Sequence, residues 1–264
     1  MDGSPTAAFT LGPPAPSARA AVLVLHGFTG SPWEMRPLAE ALAARGYHVQ
    51  VPRLPGHGGS PEAMQYVTWR DWEAAADEAL LKLKGANRCF VAGLSMGALL
   101  SLLLAARHPR QVEALALLAP VWAFRPLDAR ILRALRFLPL PEWTGAWISK
   151  SSSDIEDPLA HAENPLMPRY PLGRLFDLFR VQDHARAALP EVRAPALVMA
   201  SPNDHVVSPR GVEELAAALH TTPRWLNQGF HVVTRDLDRA VVNTEVARFF
   251  DSQCEPQTRK RSAS

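Results

Sequence analysis

Residues 88–97 read RCFVAGLSMG, a short apolar run that leads directly into the pattern G-x-S-x-G. The apolar residues that follow recur at helical spacing, so Ser95 stands at a sharp turn from a strand to a helix, the context of a nucleophile elbow. A chance glycine-serine turn would lack these flanking elements. Such a turn has room only for small neighbours, a requirement that Gly93 and Gly97 meet. We therefore predict that Ser95 is a nucleophile and that the Met96 N–H, at a helix N-terminus, faces a developing oxyanion.

A serine nucleophile needs a general base and an orienting carboxylate, which in this kind of fold follow it in the order acid, then histidine. Residues 196–200 (ALVMA) are typical of a buried strand, and the turn after them places Asp204 at the strand's C-terminal end. Catalytic groups collect at that edge of a parallel sheet. Residues 224–226 predict another short strand, and His231 lies on the loop that follows. We predict a triad in which Ser95 attacks, His231 transfers the proton and Asp204 orients the imidazole.

The chain contains nine histidines, and His205, next to Asp204, is the main rival of His231 as the base. Adjacent side chains on an extended turn point apart, which favours His231. The sequence shows no convincing zinc-ligand spacing of histidines and no cluster of cysteines with histidines, so it predicts no metal site.

The second oxyanion donor is expected on the loop after an early central strand. Residues 21–25 (AVLVL) predict that strand, and residues 26–30 (HGFTG) form the loop. Gly27 lets the backbone approach a substrate, and the Phe28 N–H is the predicted donor. His26 is expected to hold neighbouring loops together rather than to act in catalysis.

Four motifs closely resemble those of bacterial monoacylglycerol lipases and the related small carboxylesterases: HGFTGSPWEMRPLAEALAARGYHVQVPRLPGHG (26–58), GLSMG (93–97), NDHVVSP (203–209) and GFHVVTRD (229–236). The resemblance extends over roughly residues 20–250 and is weakest over residues 122–170. It implies the α/β-hydrolase fold, hydrolysis of monoacylglycerols and of short- or medium-chain acyl esters, and no cofactor.

The resemblance also implies roles for single residues. Matched motif by motif, it makes Ser95, Asp204 and His231 the triad and Phe28 and Met96 the oxyanion donors. Ala98 departs from the family's pattern, which usually has a second glycine after the elbow. Its methyl group is expected to crowd a neighbour slightly without touching the chemistry.

Composition indicates a compact enzyme rather than a scaffold. With 264 residues, 47% of them hydrophobic and 20% charged, the chain is long enough to bury a full core in one α/β domain with an insertion. The net charge of +2, with basic residues dispersed except at 259–261, argues against a nucleic-acid partner. The two cysteines, Cys89 and Cys254, predict no disulfide framework. The expected partner is a small acyl ester, and the oligomeric state, monomer or dimer, stays open.

The first residues have neither a basic n-region nor a long apolar h-region, and no apolar run reaches the length of a membrane span. We therefore expect a cytoplasmic protein without stable membrane insertion.

Strand and helix patterns alternate from residue 21 onward, which predicts an α/β fold with a mostly parallel central sheet and helices on both faces. The expected elements include a strand over 47–51, a helix over 69–84, a strand over 112–118 and a last helix ending at 250. We assign residues 19–120 and 191–251 to the core, 121–190 to a small cap (lid) insertion, 1–18 to an N-terminal extension with a possible edge strand at 8–11, and 252–264 to a disordered tail.

The alternation stops within the cap, whose apolar helical stripe is expected mainly to form the cap's own core. Some of its aromatic side chains should face the acyl chain, from the set Trp122, Phe124, Trp143 and Trp147. Its acidic group is typical of a solvated face, with the alternative that one member binds a glycerol hydroxyl: Asp154, Glu156, Asp157 and Glu163. The retained substrate-binding candidates are Trp122, Trp143, Trp147 and Glu163.

Two classes of function remain. The first is a serine ester hydrolase that forms an acyl-enzyme on Ser95, with thioesterase, C–C bond hydrolase and cofactor-free haloperoxidase as alternatives on the same machinery. The second is a non-catalytic binding protein on the same fold, against which a complete triad argues. A serine rather than an aspartate at the elbow argues against epoxide hydrolase and dehalogenase chemistry.

Overall fold

The computed structural model describes residues 4–125, 145–150 and 152–255. Its strands are β1 (Phe9–Leu11), β2 (Ala21–Leu25), β3 (His48–Val51), β4 (Cys89–Leu94), β5 (Val112–Leu118), β6 (Trp147–Ser149), β7 (Arg169–Pro171), β8 (Ala196–Ala200) and β9 (Arg224–Trp225). Its α-helices are α1 (Pro32–Ala43), α2 (Trp69–Leu81), α3 (Met96–Arg107), α4 (Pro158–Glu163), α5 (Leu172–Ala188), α6 (Pro209–Ala218) and α7 (Arg239–Cys254).

Seven strands form the main sheet in the order β1-β3-β2-β4-β5-β8-β9. All neighbours in it run parallel except β1, which pairs antiparallel with β3 at the edge. This mostly parallel sheet, with helices on both faces, confirms the predicted α/β fold class. Since all five residues of β2 are buried, the strand is covered on both faces, as expected for the centre of a parallel sheet.

The two faces of the sheet carry separate hydrophobic cores. Along β2, Leu23 and Leu25 belong to one core, whereas Val22 and Val24 belong to the other, because successive side chains of a strand point to opposite faces. The first core includes residues of α2, α3, α5 and α6, and the second includes residues of α1 and α7. The sheet is thereby fixed from both sides, which holds its C-terminal edge in place.

Several element ends differ from the sequence predictions. The helix predicted over 69–84 ends at Leu81, and the strand predicted over 224–226 has two residues. The last helix begins at Arg239, several residues after His231, and continues past the predicted end at 250 to Cys254. Its final turn is attached to the core through Asp251, which accepts a hydrogen bond from the Tyr47 hydroxyl at 2.8 Å and pairs with Arg19 at 3.1 Å. The first residues of the predicted tail are therefore part of α7.

The insertion predicted as a cap, residues 121–190, falls between β5 and β8, and we keep that name for it. Its described part contains the antiparallel pair β6–β7, in which Ile148 opposes Tyr170, the short helix α4, and α5, which packs against α3. Trp143 and the apolar stripe predicted upstream of it lie outside the described residues. Among the helices that the structure describes, none is long and apolar enough to cross a membrane.

Candidate active site

Ser95 occupies the turn between β4 and α3 in a backbone conformation that residues other than glycine rarely adopt. Its φ is 56° and its ψ is −111°. A Cβ at Gly93 would lie 2.2 Å from the Gly97 carbonyl oxygen, and one at Gly97 would lie 2.3 Å from the Leu25 carbonyl oxygen. Only glycine fits at either position, because real Cβ atoms essentially never approach backbone so closely. The elbow is therefore determined by the two glycines that flank the serine.

Asp204 and His231 meet at the C-terminal edge of the sheet, on the loops after β8 and β9. The His231 Nδ1–H donates to Asp204 Oδ2 at 2.7 Å, with the proton assigned to Nδ1 because a carboxylate is its partner. The other carboxylate oxygen accepts the N–H groups of Val206 and Val207 at 2.7 and 2.8 Å. Asp204 is therefore held on both oxygens, and His231 keeps Nε2 for a partner on the other side of its ring.

The pKa values of this pair shift in opposite directions. Burial lowers the pKa of His231, but the Asp204 carboxylate, helped by Asp154 and Glu34, outweighs it and leaves the pKa raised above its ordinary value. Burial raises the pKa of Asp204, but His231 and the Val206 and Val207 amides outweigh it and leave that pKa lowered. Both shifts favour the charged forms, so the pair is suited to stabilise an imidazolium.

Two backbone N–H groups beside Ser95 have no acceptor within the described part of the chain, those of Phe28 and Met96. Met96 is the first residue of α3, where helical N–H groups have no partner in their own helix. The loop that carries Phe28 passes close to Ser95, since a Cβ at Gly27 would lie 3.4 Å from Ser95 Cβ. The two predicted oxyanion donors therefore both lie near Ser95, one on the loop after β2 and one at the start of α3.

Two buried histidines support this loop. His26 donates from Nδ1 to the Gly27 carbonyl at 2.9 Å and accepts the Leu54 N–H on Nε2 at 3.1 Å. His57 packs against the rings of His26 and Phe28, with centroids 5.1 and 6.1 Å apart. Burial lowers the pKa of His26 to about 3 and that of His57 to about 4. Both are neutral at physiological pH, and His26 joins two loops as the sequence indicated.

Ser95 and His231 both line two cavities of about 220 Å³ each, which we call the apolar arm and the polar arm. The apolar arm is lined mainly by hydrophobic side chains of the cap: Val121, Phe124, Tyr170, Leu175 and Leu178. The polar arm is lined by Glu34, Ser152, Asp154 and His205. Phe28, Lys150 and Val206 line both arms. The cleft is therefore hydrophobic on one side of Ser95, whereas on the other side polar side chains join the hydrophobic Leu94 and Val232.

Three of the four substrate-binding residues predicted in the cap lie away from the two arms, and the fourth, Trp143, lies outside the described residues. Trp122 is buried beneath the Arg186 guanidinium, 4.9 Å from its ring, and Trp147 contacts Arg169 at 4.8 Å. Glu163 is exposed at the end of α4, and none of these three predicted residues lines either arm.

From the wider sets, one aromatic and one acidic residue do line the cleft, Phe124 in the apolar arm and Asp154 in the polar arm. Sequence reasoning missed the contribution of β7 and α5. The spacing of Leu175 and Leu178, three residues apart on one face of α5, was the available signal.

The part of the cap that approaches the core again, residues 152–157, is hydrogen-bonded to the loop that carries His231. The Asp154 carbonyl accepts the His231 and Val232 N–H groups at 3.1 and 3.2 Å. The Asp236 carboxylate accepts N–H groups from both segments, Asp157 at 2.9 Å and Phe230 at 2.7 Å. We call residues 152–157 the return segment.

His205 forms a second histidine–aspartate pair, with Nδ1 2.7 Å from Asp154 Oδ1. Its side chain is 62% exposed, whereas that of His231 is 11% exposed. His205 lines only the polar arm, whereas His231 lines both arms with Ser95. This arrangement favours His231 as the base. Within the described ranges, no three His, Cys, Asp or Glu side chains are grouped so as to hold a metal ion.

Comparison with known proteins places the chain among hydrolases. A family profile described as serine aminopeptidase, S33 (Hydrolase_4), matches residues 16–238. The chain is 34% identical over 235 residues to a thermostable monoacylglycerol lipase of Bacillus sp. (strain H-257), covering 87% of this chain and 89% of the relative. It is 26% identical over 236 residues to a carboxylesterase of Bacillus subtilis (strain 168), covering 88% and 92%. A solved structure described as one of two metagenome-derived lipolytic enzymes superposes with a TM-score of 0.81 at 29% identity, covering 94% of this chain and 98% of its own.

Proposed function

The chain belongs to the Hydrolase_4 family, and we propose that it is a carboxylic ester hydrolase that cleaves monoacylglycerols or short- and medium-chain esters through an acyl-enzyme on Ser95. The observation that carries the proposal is the site itself. A serine on a strained elbow shares two cavities with a histidine whose Nδ1 lies 2.7 Å from a buried aspartate.

In the proposed reaction, His231 Nε2 takes the Ser95 hydroxyl proton as Oγ attacks the ester carbonyl. The tetrahedral oxyanion receives hydrogen bonds from the Phe28 and Met96 N–H groups. Collapse breaks the ester bond, His231 returns the proton to the leaving alcohol, and the acyl group stays on Ser95. A water molecule, deprotonated by His231, then releases the carboxylic acid and restores the serine.

The two arms support a division of the substrate. The apolar arm suits an acyl chain, because burying each CH₂ contributes about 0.8 kcal/mol. The polar arm suits an alcohol with free hydroxyl groups, since the oxygens of Ser152 and Asp154 line it. This division favours monoacylglycerols over esters that are apolar on both sides. A location in the cytoplasm stays a prediction from the sequence.

The deciding experiment measures turnover of a panel comprising monoacylglycerols, p-nitrophenyl esters and acyl thioesters by the purified chain and by its Ser95→Ala variant. We expect ester hydrolysis by the native chain and a loss of about 10⁴-fold or more in kcat in the variant. Faster turnover of thioesters than of matched oxygen esters would replace the proposal with a thioesterase. Absence of turnover of the whole panel would favour the non-catalytic alternative.

A further inference from the structure

The oxyanion loop is contacted by two charged side chains that the proposed chemistry does not use, Glu34 from α1 and Lys150 from the cap. Glu34 Oε2 accepts the Gly27 N–H at 3.2 Å, and Lys150 Nζ donates to Thr29 Oγ1 at 3.0 Å. Gly27 and Thr29 are the residues immediately before and after Phe28 in the chain. The predicted oxyanion donor thus lies between two charge-assisted hydrogen bonds.

The Glu34 carboxylate lies inside the turn formed by residues 27–30. The Gly30 N–H donates to the Gly27 carbonyl at 3.2 Å, which closes the turn. A Cβ at Gly30 would lie 2.1 Å from Glu34 Oε2, so the carboxylate is in close contact with this backbone. Glu34 is buried, and burial raises its pKa by more than the charge of Lys150 and the Gly27 N–H lower it, so the pKa is raised overall. The carboxylate therefore supports the loop by a direct hydrogen bond and by close packing.

Thr29 is held in an unfavourable backbone conformation. Its φ is 61°, in the left-handed region that a β-branched residue rarely adopts, and its side chain is buried. Such a conformation persists only where surrounding contacts stabilise it. The contact with Lys150 is the one hydrogen bond of the Thr29 hydroxyl to the described part of the chain.

Lys150 follows β6 directly, and its backbone N–H donates to the Pro168 carbonyl at 2.8 Å, next to β7. Tyr170 of β7 packs edge-on against Phe28, with ring centroids 5.1 Å apart. The β6–β7 pair therefore contacts both Phe28 and Thr29. The loop that presents the oxyanion donor is supported from the core by Glu34 and from the cap by Lys150 and Tyr170.

We propose that Lys150 and Glu34 are positioning residues that aim the Phe28 N–H at the oxyanion, so that the oxyanion hole is complete only while the β6–β7 pair of the cap is docked. This inference rests on the proposed ester hydrolysis. It assigns the two charges to transition-state stabilisation rather than to recognition of the leaving alcohol. Loss of a whole oxyanion donor lowers kcat by about 10²–10³-fold. A donor that is still present but misdirected should therefore lower kcat by less, about 10- to 100-fold.

The experiment compares native chain, Thr29→Val, Lys150→Met, the double variant and Lys150→Arg on an ethyl ester and the matching monoacylglycerol. We expect each single substitution to lower kcat about 10- to 100-fold on both substrates with little change in KM. The double variant should be no slower than the slower single variant, because both remove the same contact. Lys150→Arg, which keeps a cationic donor, should recover part of the lost rate. Lys82→Met, which removes an exposed lysine paired with Glu78 on α2, is the matched control and should keep the native kcat.

A second measurement distinguishes a misplaced oxyanion donor from a general loss of structure in the active site. Affinity for a trifluoromethyl ketone, which forms an oxyanion on the serine, should fall in parallel with kcat, whereas affinity for the carboxylic acid product should not. Unchanged kcat in the single variants, losses that multiply in the double variant, or losses confined to the monoacylglycerol would overturn the inference. A native chain that hydrolyses neither ester would instead remove the proposed function itself.

Discussion

Replacement of Asp204 by asparagine tests the catalytic pair with little change in shape. The asparagine carbonyl oxygen can still accept the Val206 and Val207 N–H groups, which lie 2.7 and 2.8 Å from Asp204 Oδ1. Its NH₂ group would then face His231 Nδ1, now 2.7 Å from a carboxylate oxygen. Two donors cannot face each other, so the imidazole must place its proton on Nε2 and cannot act as the base toward Ser95.

The expected loss follows from that change of tautomer. The corresponding substitution in a serine protease triad lowers kcat by about 10⁴-fold, which corresponds to about 5.4 kcal/mol of transition-state stabilisation. Loss of the Asp204 charge should also lower the pKa of His231, because that carboxylate is the main factor that raises it. Asp204→Ala should lose about as much activity as Asp204→Asn. It should also be less stable, since each N–H left unpaired in a buried site lowers the free energy of unfolding by about 1–3 kcal/mol.

The assay is kcat/KM for a p-nitrophenyl ester from pH 5 to 9, together with thermal unfolding. We expect Asp204→Asn to keep most of the native melting temperature and Asp204→Ala to lose several degrees. Asp77→Asn is the matched control, because Asp77 pairs with His108 at 2.8 Å between α2 and α3, away from the cleft. An Asp204→Asn variant that retains more than about a tenth of the native kcat would refute the assignment of Asp204 as the orienting acid.

Three further predictions concern the base, the elbow and the acyl chain. Activity of the native chain should rise with pH through a value above the ordinary histidine pKa of about 6.5, because His231 must be neutral to accept the proton and its pKa is raised. His231→Ala should be inactive and His205→Ala close to native, and the reverse result would make His205 the base. Gly97→Ala should lower the soluble yield or kcat by at least about 10²-fold, since the new Cβ would lie 2.3 Å from a carbonyl oxygen; native kinetics would show that the elbow can shift. Rates on monoacylglycerols of increasing chain length should pass through a maximum, and triacylglycerols should be poor substrates, whereas activation at an emulsion surface would contradict a closed cleft.

The parts of this protein that follow from local patterns were predictable from its sequence. The elbow glycines, the central strand at 21–25 and the loops carrying Asp204 and His231 each depend on a few neighbouring residues, and their placement at one sheet edge follows from parallel topology. The cleft lining depends on how the cap docks, which no local pattern encodes. Tyr170 and Lys150 enter the site because β6 pairs with β7, whereas Trp147 of the same strand contacts Arg169 instead.

The end of α7 also could not be predicted from local sequence patterns. Residues 251–254 are polar in sequence, so their attachment depends on Tyr47 and on arginines far away in the chain. The choice between His205 and His231 as the base also depends on the tertiary structure. The aspartate that pairs with His205 comes from the cap, 51 residues upstream. Pairings between distant residues are the class of feature that a single sequence leaves open.

The bonds of the return segment bear on how far the cap can be treated as an exchangeable module. A chimaera that swapped the whole insertion to change chain-length preference would also remove the Asp154 carbonyl that receives the His231 N–H. It would also remove the N–H groups of Glu156 and Asp157 that donate to the buried Asp236 carboxylate, which would keep only the Phe230 and Leu237 N–H groups among its described donors. Residues 152–157 thus support the proposed catalytic loop from inside a specificity element, and a graft that is to keep the machinery intact retains them together with Lys150 and the β6–β7 pair.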